Sequence, residues 1–128
     1  MIELLVRGAN GLAFPDNISK EKYESVRKWK DSYPEWYVGF VGFICSFRGK
    51  FFGGYVPNHV LKKTGKYQNY QTQQINAFMR QCHYLKGIDF TNEKYKDLDI
   101  TGSVIYCDPP YAGTTKYKDD FNHDEFWD

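Results

Sequence analysis

Val104-Ile-Tyr-Cys-Asp-Pro-Pro-Tyr111 is an apolar run that stops on an acid, two prolines and an aromatic ring. Proline donates nothing to a sheet ladder, so a strand over Ser103–Cys107 must end here. Being apolar throughout, the run reads as a strand covered on both faces, with a stiff loop at its carboxyl end. Upstream, Ile88-Asp-Phe90 is a second, short strand candidate. Before it, Ile75, Phe78, Met79, Cys82 and Leu85 repeat at three- and four-residue spacing, which predicts a core-facing helix over Tyr70–Lys86, with Gly87 as its stop. Helix, strand, connection, strand predicts an α/β layer with parallel strands. Ligands of such sheets bind beyond the carboxyl ends of the strands, and Asp108-Pro-Pro-Tyr111 falls there.

Further toward the amino terminus, Ser19 is placed to cap a helix, with Ile18 before it and Tyr23 inside it spaced as a hydrophobic staple. Tyr23, Val26 and Trp29 share one face of that helix, and Tyr33-Pro34 ends it. Met1–Gly11 reads as the tail of an earlier helix, stopped by Gly8 and Gly11. Between Val38 and Tyr55, five glycines and six aromatic rings alternate with Arg48 and Lys50. So much glycine predicts a short apolar helix running into an irregular loop, with a buried aromatic hairpin as the rival. Three segments result: a helical lead-in over residues 1–35, a basic and aromatic segment over 36–68, and an α/β layer over 69–128.

Charge sharpens the division. The net charge of +1 conceals a segment, Trp36 to Ile88, without a single Asp or Glu and with seven basic residues. Residues 89–128 then carry ten acids against four bases. An acid-free stretch in which cations alternate with rings suits a polyanion with stackable bases, because cations meet phosphates while rings meet base faces. Arg48, Lys50, Lys62, Lys63 and Lys66 are its candidate contacts, against the plainer reading of a solvated basic loop. No run approaches transmembrane length, and the first residues lack the pattern of a signal peptide. Three cysteines without a CxxC pair indicate a reducing, cytoplasmic setting. The spacings of His59, His83 and His123 match no zinc pattern, so no metal is expected. Cys107, within an apolar run, is a poor nucleophile candidate.

The chemistry concentrates in Asp108-Pro-Pro-Tyr111. Asp108 can accept a hydrogen bond from an exocyclic amine, the Pro109 carbonyl a second, and Tyr111 can stack on the ring bearing that amine. Pro110 restricts the preceding backbone to an extended shape that aims the carbonyl outward. The plainer alternative is a proline-rich turn after a core strand.

These four residues resemble motif IV of the amino-methyltransferases. Their extension, Asp108-Pro-Pro-Tyr-Ala-Gly-Thr-Thr-Lys-Tyr117, with Gly42-Phe-Ile-Cys-Ser-Phe-Arg-Gly-Lys-Phe-Phe-Gly-Gly-Tyr55 upstream, resembles the Dam-like N6-adenine DNA methyltransferases of bacteria and phages. Phe121–Trp127 resembles the start of the helix that follows motif IV there. The resemblance implies a Rossmann-like fold, of which this chain is a central fragment. It also implies S-adenosylmethionine as methyl donor and double-stranded DNA as partner, with an adenine flipped from the duplex into the site. On this footing Asp108, Pro109, Pro110 and Tyr111 are the catalytic group, Tyr117 lies near the pocket among the DNA contacts, and Asn92 or Glu93 contacts the donor's adenine. The Phe-x-Gly-x-Gly donor loop of that family has no counterpart in the sequence. Two functions follow as expectations: an adenine methyltransferase completed by self-association or a partner chain supplying strands, or an inactive remnant that binds DNA or protein.

Overall fold

The computed structural model of this protein describes residues 1–108. They fall into two units, one over residues 1–92 and one opening at Glu93.

The first unit is helical. Helix α1 spans Ile2–Ala9, α2 Lys20–Lys28, α3 Glu35–Gly39 and α4 Tyr70–Cys82. A single π turn, Phe40–Ile44, prolongs α3 and closes with Cys45 N–H donating to Phe40 C=O at 3.3 Å. Ser19 caps α2 as expected, its hydroxyl accepting from Lys22 N–H at 3.2 Å. Ile18 and Tyr23, the staple pair, are both buried. Around them Leu4, Val26, Phe40, Val41, Cys45, Ile75, Phe78 and Cys82 form one core, supplied by α1, α2, the π turn and α4, with Tyr37 and Val38 of α3 packed against it. Helix α1 packs against both α3 and α4.

Gly8 does not stop α1; it sits inside the helix and is buried. A Cβ there would collide with Cys82 Sγ, so glycine is what lets α1 approach α4. The helix ends at Ala9, and Gly11 takes the left-handed turn at φ 67°. Trp29 does not share the buried face of α2. Helix α2 stops at Lys28, earlier than Tyr33-Pro34, and Trp29 leaves helical geometry at φ −120°, ψ 51°. Its ring therefore swings outward, 57% exposed, with Lys28 Nζ 4.8 Å from its centroid.

The sheet departs most from expectation. Among the described residues the strands are β1 Val60–Leu61 and β2 Tyr67–Gln68, an antiparallel pair with Val60 opposite Gln68 and Leu61 opposite Tyr67. Neither Ile88–Phe90 nor Ser103–Cys107 is a strand, and no parallel pair forms among the described residues. A parallel strand exists only through hydrogen bonds to neighbours distant in sequence. An apolar run without such a ladder stays irregular, and in the second unit Val104 and Tyr106 are almost wholly exposed. Helix α4 runs to Cys82, a further turn covers His83–Leu85, and Gly87 at φ 82° terminates it. Of the expected stripe Ile75, Phe78 and Cys82 are buried and Leu85 half-buried, whereas Met79, at the edge of the stripe, is exposed.

Candidate nucleic-acid interface

Between the π turn and α4 the acid-free segment forms two loops that, with the start of α4, line one groove. The first loop, Ser46–Tyr55, is closed at its base by a bridge between those two residues. Phe47 N–H donates to Gly54 C=O at 2.8 Å, and Val56 N–H to Cys45 C=O at 3.1 Å. Buried Tyr23 anchors it from below. Its hydroxyl lies 2.9 Å from Ser46 Oγ and accepts from Gly54 N–H at 3.2 Å. Since Ser46 Oγ donates to Val41 C=O, Tyr23 is left to donate to Ser46. Gly42 makes room for the returning chain: a Cβ there would stand 2.9 Å from Phe52 Cε2.

At the loop's tip Arg48 and Phe52 hold the left-handed conformation at φ 54° and 48°. Such geometry in non-glycine residues persists only where surrounding bonds impose it. It leaves Arg48 and Lys50 exposed, together with the Phe47 and Phe51 rings. The Arg48 guanidinium lies 5.3 Å from the Phe47 centroid, a cation and a ring presented together.

The second loop is the β1–β2 hairpin. Lys62 N–H donates to Lys66 C=O and Gly65 N–H to Lys62 C=O, both at 2.9 Å. Gly65, at φ 76°, supplies the left-handed residue of a three-residue turn. Lys62, Lys63 and Lys66 are thereby gathered at one exposed tip. Behind them Leu61 and Tyr67 face each other across the strands, 60% and 68% exposed. The hairpin is fastened to α4 by its stem. Asn58 Oδ1 accepts from Thr72 N–H at 3.0 Å, Asn58 Nδ2 donates to Thr72 Oγ1 at 2.8 Å, and Asn69 Oδ1 accepts from His59 N–H at 2.9 Å. Asn58 thus serves as the cap that Asn69 does not give its own helix.

The structure therefore brings Arg48, Lys50, Lys62, Lys63 and Lys66 onto two loops, the first fastened to α2 through Tyr23 and the second to α4 through Asn58. Reasoning from sequence missed the hairpin and, with it, Leu61, Tyr67 and Tyr70. The signal was present: Val60-Leu-Lys-Lys-Thr-Gly-Lys-Tyr-Gln68 is two β-prone pairs around a glycine turn. Asp108 and Cys107 are exposed in the second unit. Pro109, Pro110, Tyr111 and Tyr117, and the helix expected over Phe121–Trp127, lie outside the described residues. Asn92 closes the first unit and Glu93 opens the second, both exposed and outside any helix or strand. Neither forms a hydrogen bond among the described residues. Among the described residues no three His, Cys, Asp or Glu side chains gather as a metal site. No helix there is long and apolar enough to cross a membrane.

Residues 15–128 match the family model of the D12 class N6 adenine-specific DNA methyltransferases. The chain belongs to that family. The match spans both loops and continues through Asp108 to the last residue. It agrees with the resemblance carried by the two quoted motifs, and a Rossmann-like fold fits the family. No curated protein and no solved structure matches the chain.

Proposed function

We infer that this chain carries the DNA-contacting and amine-presenting parts of an N6-adenine DNA methyltransferase. The observation that carries this reading is the pair of fixed loops, where five cations and several exposed rings project from an acid-free segment. Arg48, Lys50, Lys62, Lys63 and Lys66 neutralise phosphates, and the rings beside them meet bases. Asp108 and the Pro109 carbonyl accept from the N6 amine of an extruded adenine, Pro110 holds that carbonyl outward, and Tyr111 stacks on the purine. Two acceptors on one amine localise its lone pair and make it the better nucleophile. S-adenosylmethionine, when bound, supplies the electrophilic methyl group. Self-association or a partner chain contributes the strands that would flank Ser103–Cys107, whose exposed apolar residues suit such pairing.

The test is duplex binding across a salt series. Each phosphate contact contributes a slope of about 0.9 in log affinity against log salt. Replacing Lys62, Lys63 and Lys66 together by alanine is expected to flatten the slope by about 2–3 and weaken binding without regard to sequence. An unchanged slope would remove the hairpin from the interface. Methyl incorporation into adenine that vanishes in Asp108→Ala, with duplex affinity kept, assigns the amine site. Binding with no incorporation under any condition would leave the second function, a DNA-binding remnant.

A further inference from the structure

Between the two loops lies a groove of about 390 Å³, within the roughly 300–1,000 Å³ of small-molecule sites. Phe47, Arg48 and Tyr55 come to it from the first loop, Val60 from β1, and Tyr70 and Gln74 from α4. Its lining contains no acid, and Lys62 Nζ stands 5.5 Å from the Tyr70 ring centroid, adding a cation beside that wall. Rings with a guanidinium and an ammonium call for a flat ligand attached to an anion.

Gln74 refines this choice. Its Oε1 is buried and has no hydrogen-bond partner among the described residues. Native structures seldom leave such an acceptor unmet without a use for it. The same side chain also lines a shallower groove with Phe43, Gly49 and Gln81, so it forms a partition between two hollows. Its terminal torsion is broad, and turning the carboxamide brings the oxygen to a donor lodged on either side. Flat, anion-bearing and offering an N–H donor together describe a nucleotide whose base carries an amine.

We propose that this groove is a base-reading subsite built entirely within residues 47–74, in which Gln74 accepts a hydrogen bond from the exocyclic amine of a nucleobase while Arg48 meets its phosphate. It deepens the DNA-binding reading above and rests on it, but it needs neither Asp108 nor a methyl donor. Gln74 then reads sequence, and the hairpin lysines only position the duplex.

The test is an NMR titration of the isotope-labelled chain with 2′-deoxyadenosine 5′-monophosphate and with the matching nucleotide of unsubstituted purine, which lacks the 6-amino group. The adenine nucleotide is expected to move the Gln74 carboxamide and the Phe47 and Tyr70 ring signals saturably. It should bind roughly three- to tenfold more tightly than its amine-free counterpart, the effect of one hydrogen bond. Gln74→Leu should erase that preference. Phe47→Ala, in an exposed loop where the fold does not depend on the ring, should weaken both nucleotides alike. Equal affinities in the unaltered chain, a preference that survives Gln74→Leu, or shifts elsewhere would overturn the proposal. Duplex binding measured on the same sample separates the two levels. Duplex bound with the groove silent refutes the subsite alone, whereas no duplex binding refutes the DNA reading beneath it.

Discussion

At the scale of single residues, close approaches decide what this sequence tolerates. Gly8 is the contact point of α1 with α4, and a methyl group there meets the Sγ of Cys82, a residue only 3% exposed. Gly8→Ala is therefore expected to destabilise by about 1–3 kcal/mol, despite alanine's better helix propensity. Cys82→Ala should recover much of this loss when combined with it, giving a coupling energy that distant sites lack. Thermal unfolding of the two single variants and the double variant measures that coupling; strict additivity would show that the helices do not meet there. Cys45 behaves differently. Burial in the core pushes its thiol from 9.0 up to about 12. The unfolded chain releases this proton first, so stability contributed by the neutral thiol is complete below pH 9 and declines as pH rises toward 12. Replacing Cys45 with alanine should flatten that alkaline decline in urea midpoints, at the cost of a cavity. Thiol labelling of the native chain should modify exposed Cys107 well before Cys45 or Cys82.

At the scale of elements, the same chain shows which structure is written locally and which is not. Helices α2 and α4 were legible because their signals lie within a few residues of each other: Ser19 with Lys22 N–H for the cap, and Ile75, Phe78 and Cys82 for the buried stripe. The expected strands were not, because a ladder partner cannot be inferred from Ile88–Phe90 or Ser103–Cys107 themselves. The hairpin is harder to see for the opposite reason: each of its strands is only two residues long, and its cations dominate the stretch between them. Gln71 was equally hidden. It begins a polar-looking Gln71-Thr-Gln-Gln run, yet it is the most connected side chain of α4. Its Oε1 accepts from Ile18 N–H at 2.6 Å, and its Nε2 donates to Ile18 C=O at 3.2 Å and Val56 C=O at 2.9 Å. Tyr55 donates its hydroxyl to the same Ile18 carbonyl at 2.9 Å. One amide thus joins the entry to α2, the exit of the first loop and the start of α4. Gln71→Leu keeps much of the bulk but strands a buried donor and acceptor, and is expected to cost about 1–3 kcal/mol for each group left unpaired. For a unit of this size the melting temperature should fall by roughly 4–8 °C per kcal/mol. An unchanged melting curve would mean that this tie does not hold the loops to the helix.

At the scale of the molecule, the division after Asn92 falls between the two expected tasks, DNA contact before it and amine chemistry after it. Among the described residues the core, from Leu4 to Cys82, lies within residues 1–92, as do both cationic loops and the groove between them. Asp108 lies beyond. A unit that owns its core needs no help from the remainder to close it, and about ninety residues suffice for a small independent domain. A chain of residues 1–92 is accordingly expected to unfold in one cooperative transition and to retain salt-dependent affinity for duplex DNA, while being unable to methylate. Circular dichroism on heating and a binding isotherm at two salt concentrations examine the two halves of this expectation separately. A non-cooperative melt would show that residues 93–128 complete the core. A cooperative melt with no DNA affinity would instead show that the loops are insufficient and that the duplex is gripped from both sides of the boundary. Retention of both would explain how a family match spanning residues 15–128 can include two tasks, since recognition would then be held by a unit that folds whether or not the amine site beside Asp108 is assembled.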